Sequence, residues 1–355
     1  MKNAYGVDHD EIAAGIQRIA NAFRVGVSRA ADELDAAMQR AYGIAKASGK
    51  DIEAVMTRLR AEEPEYTEEI CHHIRDMLFG GVCNLSRHSG LPAALLDDLS
   101  YAPGENTQFF AAGEFAGTPM RALPARSKPG IKFGSSVYAT DGQFVRDSAY
   151  RAIQWGLWKR LPYRDEWISR QGRRVEEAFP KIFSHQLRRA RSYESVYHKN
   201  ATTGEWVECD LLLLVDDVLL VIEGKAGGMP MQSPATNFVS HERTINELIG
   251  KAYKQCARFI EYLASAPEVP LFSLQNGSHI KIAQIRRDRF RLVLPIGLTI
   301  EAFTPFSAMA KELPGIVPIL GAHPFISMSV DDLFVLNRFL PTTGQLGSRD
   351  EVLRG

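Results

Sequence analysis

Apolar residues recur every three or four positions through residues 8–98. Ile12, Ile16, Ile19 and Phe23 set the spacing in HDEIAAGIQRIANAFRVGV, and ADELDAAMQRAYGIAKA and DIEAVMTRLRAEE repeat it. That period is the helical one, so the first third is expected to be helical. Asp51, followed by Glu53, has the chemistry of an N-cap. From about 100 to 134 the helical period is lost. The stretch APGENTQFFAAGEFAGTPMRALPARSKPGIKFG is rich in Gly, Pro and Ala and predicts a long connection with a boundary near 125. IKFGSSVYAT then predicts a hairpin, and DGQFVRDSAYRAIQWGLWKRL a helix.

The second half alternates between periods. Val175, Ala178, Phe179, Ile182 and Phe183 form one helical stripe over 165–189, with Pro180 expected to kink or end that helix. SYESVYH is a strand candidate, and ECDLLLLVDDVLLVIEGK holds two more. HERTINELIGKAYKQCARFIEYL (241–263) predicts one helix, KIAQIRRDRFRLVLPIGLTIEAF further strands and DDLFVLNRFL a last helix. Helix, three strands, helix, strands is the order of an α/β fold with a mixed sheet. The expected organisation is an N-terminal helical region (1–125), a hairpin-helix connecting element (126–164), an α/β domain (165–340) and a flexible tail (341–355).

Within ECDLLLLVDDVLLVIEGK, acids and a lysine interrupt apolar runs. With Asp216-Asp217 at a hairpin turn, Val215 faces Val218 and Leu212 faces Val221. The same register sets Asp210 opposite Glu223 and Glu208 opposite Lys225. Directly opposed side chains have Cβ atoms roughly 5 Å apart. Two carboxylates so close repel unless a proton or cation lies between them. A hard cation such as Mg²⁺ takes oxygen ligands of this kind. The plainer alternative is a Lys225–Glu208 pair at the solvated end of an ordinary hairpin.

Composition narrows the classes without choosing among them. The chain has 355 residues, 45% hydrophobic and 24% charged, as in a globular protein. No run of 18 apolar residues predicts a membrane span, and acids near the N-terminus do not suit a secretory signal, so a cytoplasmic location without membrane contact is expected. Four cysteines do not suggest a disulfide scaffold. Lys and Arg total 42, as do Asp and Glu, yet residues 151–200 hold twelve basic against five acidic, a net of +7. A locally basic segment can meet phosphates even in a neutral chain.

The pattern of Asp210 on one strand and Glu223-Gly224-Lys225 at the end of the next resembles the PD-(D/E)XK nuclease superfamily. The resemblance covers roughly residues 165–305, with Cys209 at the position of the motif's proline. It implies a restriction-endonuclease-like core and a Mg²⁺- or Mn²⁺-dependent nuclease acting on nucleic acid, most of all DNA. Gly172 followed by Glu176 or Glu177 is similar to the family's helical glutamate, and Glu176 is preferred because it follows apolar Val175. Gln255 is similar to the glutamine of the RecB-like branch, with Phe259 where that branch carries tyrosine. By resemblance, Asp210, Glu223 and the Gly224 carbonyl would hold the metal and Glu176 would complete its shell. Lys225 would orient the attacking water and Gln255 would hydrogen-bond nearby. A metal lowers the pKa of bound water and offsets phosphate charge. Arg188, Arg189, Arg191, Lys251, Lys254 and Arg258 are candidates for backbone contacts.

Other clusters carry less. Cys71, His72, His73, Cys83 and His88 offer two Cys and two His that could hold zinc, but they lack the paired spacing of structural zinc, and Cys71 also fits the apolar side of a helix. GKAGGM lacks the phosphate-loop pattern, and no G-x-S-x-G is present. Trp155, Trp158, Trp167 and Trp206 read as core or interface anchors rather than base-stacking platforms. The rival to the nuclease is a catalytically silent module of the same fold that binds nucleic acid or protein. The N-terminal helical region would then be its working part, through a homodimer or a protein partner.

Overall fold

The computed structural model describes residues 1–118, 121, 123–200, 202–228, 230, 233–301 and 310–339. The expected tail, 341–355, lies outside them. The chain divides into two compact units, Met1–Arg164 and Asp165–Gly355.

The N-terminal unit is mainly helical. Its first long helix, α1 (His9–Ser48), runs unbroken across what the sequence presents as two segments. Asp8 opens it as a capping box, its side chain accepting from the Glu11 amide while Glu11 reaches back to the Asp8 amide. Ile12, Gly15, Ile19, Ala22, Gly26 and Ala30 make its buried stripe. α2 (Ile52–Glu62) is capped by Asp51, whose Oδ1 accepts from the Glu53 and Ala54 amides at 2.6 and 3.1 Å. With α3 (Pro64–Leu78), these helices close a core of Ala41, Ala45, Val55, Leu59, Tyr66 and Ile70. A small sheet follows: β1 (Ser100–Tyr101), β2 (Gly130–Phe133) and β3 (Ser136–Ala139). β2 and β3 form the expected hairpin. Asp141 then caps α4 (Gly142–Lys159) through the Phe144 amide.

The second unit is a mixed α/β structure. α5 (Leu161–Gln186) leads into it, followed by β4 (Arg191–Lys199), β5 (Trp206–Val215) and β6 (Val218–Lys225). Next come α6 (Phe238–Ile245), α7 (Lys251–Ala264), β7 (Glu268–Gln275), β8 (Ser278–Arg286), β9 (Leu292–Thr299), β10 (Ile326–Ser329) and α8 (Val330–Phe339). The seven strands lie in the order β10-β9-β6-β5-β4-β7-β8. β6, β9 and β10 run parallel and the other pairings are antiparallel.

Central position explains why β6 reads VLLVI without alternation: both its faces are covered. Leu219 and Val221 pack with Ala252, Cys256, Phe259 and Ile260 of α7. Ile222 packs on the opposite face, with Val175, Phe179 and Phe183 of α5 and Leu333 of α8. The sheet is thus a middle layer between helices.

Two expectations change. α5 continues through Pro180, since an interior proline removes one backbone hydrogen bond but the Val175–Phe179–Phe183 stripe stays packed on the sheet. The helix expected over 241–263 is α6 and α7 joined by a π-helical turn, Asn246–Gly250. The β7–β8 hairpin turns through Asn276 and Gly277, both with positive φ (50° and 78°).

Candidate active site

The β5–β6 hairpin has the register the sequence implies: Val215 pairs with Val218, Leu212 with Val221 and Leu211 with Ile222. Asp216 takes the positive φ (51°) that a tight turn needs, and the Arg291 guanidinium holds Asp217 at 2.9 Å. The backbone ladder then stops one step before Asp210 and Glu223. In its place, Asp210 Oδ2 accepts a hydrogen bond from the Gly224 amide at 2.7 Å.

Asp210 also marks a step in the alternation of β5. Cys209 and Leu212 both pack towards α7, whereas Leu211, Leu213 and Val215 pack towards α5. On β4, Ser195 adopts φ 46°, and the Ser195–Asp210 pair is missing from an otherwise constant register. Strict alternation, which would put Glu208 and Asp210 on one face, therefore does not hold through this point. The local break frees Asp210 to reach the β6 backbone.

Glu223 is fully buried at the end of β6. Its Oε2 lies 3.4 Å from the Lys225 ammonium, and among the described residues no donor reaches its Oε1. Lys225 also donates to the Gly224 carbonyl at 3.0 Å. Its ionic partner is thus Glu223 and not Glu208, which instead accepts from the Tyr197 hydroxyl at 2.8 Å. Burial, and then the charge of Asp210, push the Glu223 carboxyl well above its usual range, against the pull of Lys225. Burial raises Asp210 as well, opposed by Lys225 and the Gly224 amide. Glu176 is raised by burial, Asp210 and Glu208 together. Burial and Glu208 push the Tyr197 phenol up to about 12.

Glu176, exposed on α5, feels the charges of Asp210 and Glu208, while Glu177 turns to Arg174 at 3.5 Å. Gln255 is half-buried on α7, and its side chain makes no hydrogen bond to Asp210, Glu223 or Lys225. Ala252 of α7 packs beside Gly297, the β9 residue paired with Glu223, so exposed Lys251 belongs to the site end of the sheet. Arg191 pairs with Leu214 towards the hairpin turn, four residues along β5 from Asp210 and away from Lys225.

Among the described residues, no group of three or more His, Cys, Asp or Glu forms a metal shell. The donors that do converge are oxygens: the Asp210 and Glu223 carboxylates and the Gly224 carbonyl. Mg²⁺ binds through one or two carboxylates and keeps several waters, and an orphaned buried carboxylate oxygen is a position a cation would satisfy. The donor chemistry fits a hard divalent ion.

The histidine cluster of the first unit is an ionic network. Arg87 bonds Asp76 and meets His72 Nδ1 and His88 Nε2, each at 2.9 Å, while His73 pairs with Glu33 at 3.2 Å. All four cysteines are free. No helix among the described residues is long and apolar enough to cross a membrane. The chain was compared with protein-family models, curated proteins and solved structures. None of them matches.

Proposed function

We propose that this protein is a metal-dependent nuclease with a restriction-endonuclease-like core, hydrolysing phosphodiester bonds, most of all in DNA. The observation that carries the reading is Glu223: a wholly buried carboxylate with an unpartnered oxygen, next to a second carboxylate and 3.4 Å from an ammonium. Burying such a group without a task costs several kcal/mol. The ends of parallel strands β6 and β9 are also where open α/β sheets place ligands.

In this reading Asp210, Glu223 and the Gly224 carbonyl hold the divalent ion, with Glu176 beside them. When bound, the ion lowers the pKa of water and offsets phosphate charge. The Gly224 amide fixes the Asp210 carboxylate, so its position does not depend on the ligand. Lys225, anchored by Glu223 and the Gly224 carbonyl, holds an ammonium where charge develops on the phosphate oxygens. Exposed Lys251 and Lys254 supply phosphate contacts.

The test is cleavage of plasmid and single-stranded DNA with Mg²⁺ or Mn²⁺, beside Asp210→Ala and Lys225→Ala. Metal-dependent cleavage lost in both variants is the expected result. Equal cleavage by all three proteins would mean contamination and overturn the reading. Salt-sensitive binding without cleavage would favour the silent module.

A further inference from the structure

Beyond Lys225, the face of the sheet that carries Glu208 ends in a cluster of rings. Trp206 of β5 stacks on His279 of β8, with centroids 3.9 Å apart and planes 6° from parallel. Phe272 of β7 meets Trp206 edge-on at 4.9 Å, and Tyr197 of β4 meets His279 at 5.0 Å. Four neighbouring strands therefore contribute one aromatic surface. Trp206 is 37% exposed there, although large rings on a sheet ordinarily bury against a covering element.

Two lysines lie beside Trp206 and Phe272, and Glu208 lies beside Tyr197. The Lys199 ammonium lies 5.5 Å from the Trp206 ring, and Lys281 is paired with Phe272 across the β7–β8 hairpin. Tyr197 ties the rings to the carboxylates through its bond to Glu208. Trp206 lies four residues along β5 from Asp210, about 13 Å at 3.3 Å per residue. Roughly four stacked nucleotides at 3.4 Å each cover that distance.

We infer that the Trp206–His279 surface is a stacking subsite for bases of an unpaired nucleic-acid strand whose backbone runs to Asp210 and Glu223. The inference rests on the nuclease reading and specifies its substrate class. A ring face stacks on any base but needs the base face to be free, which it is in a single strand and is not inside a duplex. Lysines beside the rings meet the backbone phosphates of the same strand.

The experiment measures binding of a fluorescent oligothymidylate and of a blunt duplex of equal length, with metal chelated, in an Asp210→Asn background so that cleavage plays no part. Adding Trp206→Ala is expected to weaken oligothymidylate binding about ten-fold or more and to leave duplex binding within about two-fold. Trp206→Phe keeps a ring and should retain most of the affinity while losing the oligonucleotide-induced quench of indole emission. That readout holds even where the alanine variant fails to fold. Unchanged single-strand affinity in folded Trp206→Ala, or an unchanged quench in Trp206→Phe, overturns the subsite. A concentration-dependent dimer abolished by Trp206→Ala, without oligonucleotide binding, assigns the surface to a second copy of the chain and also overturns it. Trp206-dependent binding by a protein that never cleaves leaves the subsite standing and removes the nuclease reading. Cleavage without Trp206-dependent binding does the reverse.

Discussion

Asp210 Oδ2 accepts the Gly224 amide at 2.7 Å, a side chain taking the place of a ladder hydrogen bond between two strands. The bond positions one carboxylate against the backbone that carries the other. Replacing Asp210 with Asn keeps an oxygen acceptor for Gly224 and removes the charge beside Glu223. Cleavage by Asp210→Asn should fall by at least about 100-fold. Melting without metal should occur at a higher temperature than for wild type, because a repelling anion is gone. Calorimetry beside a plasmid assay reads both.

Gly224 has no room for a side chain. A Cβ there would come 2.6 Å from Phe179 Cε2 and 3.0 Å from Cδ2, and Phe179 is itself buried between α5 and the sheet. Gly224→Ala should therefore cost about 1–3 kcal/mol in denaturant unfolding. The same displacement of β6 should reduce cleavage, since the Asp210 bond depends on the position of that amide.

Metal dependence and pH are linked through Glu223. Its folded pKa is raised, so the folded protein holds this proton more tightly than the unfolded chain does. The stability this contributes is present below the ordinary glutamate range and is lost as pH rises through the folded value. Without metal, wild type should lose stability over that interval, and Glu223→Gln should lack the slope. A divalent ion at a hundred times its Kd should raise wild-type stability by about 2.7 kcal/mol above the folded pKa, and far less in the variant. Thermal melts across pH with and without Mg²⁺ measure this.

The two helical glutamates are distinguishable. Glu176 shares its field with Asp210 and Glu208, whereas Glu177 pairs with Arg174. Glu176→Gln should lower cleavage about ten-fold or more and Glu177→Gln should leave it near wild type. Equal effects would remove Glu176 from the site.

His198 gives a prediction independent of function. It is buried between Phe259 and Tyr262, and burial lowers its pKa to about 4. The unfolded chain takes up this proton below about 6.5 while the folded protein does not. Stability should fall as pH drops from about 6.5 towards 4, by roughly 3 kcal/mol at about 1.4 kcal/mol per pH unit. His198→Phe should flatten that part of the profile.

The hairpin register was legible because apolar runs on both sides of Asp216-Asp217 admit few pairings, and that register brought Asp210 towards Glu223. The step in alternation was not legible. It depends on Ser195 of β4 taking φ 46° opposite Asp210, and serine gives no sign of that. That α5 does not end at Pro180 was not legible, because it depends on the packing of Val175, Phe179 and Phe183 outweighing one absent backbone hydrogen bond. The β7–β8 hairpin had a readable signal, Asn276-Gly277, a residue pair suited to positive φ at both turn positions. The aromatic surface was illegible for a different reason. Trp206, Phe272 and His279 become neighbours only once β4 brings β5 and β7 to its two edges.

Strand β6 is bonded along both edges, to β5 on one side and to β9 on the other. Detaching β6 requires its β9 ladder to part together with the β5 ladder as far as Ile222, beyond which the Asp210–Gly224 bond holds the segment that bears Glu223 and Lys225. Amide protons along β6 should then exchange with solvent only at the rate of whole-unit unfolding, among the slowest in the chain. A nick or a denaturant step that loosens surface loops would leave the carboxylate pair assembled, and the pair would vanish in a single cooperative event together with the sheet.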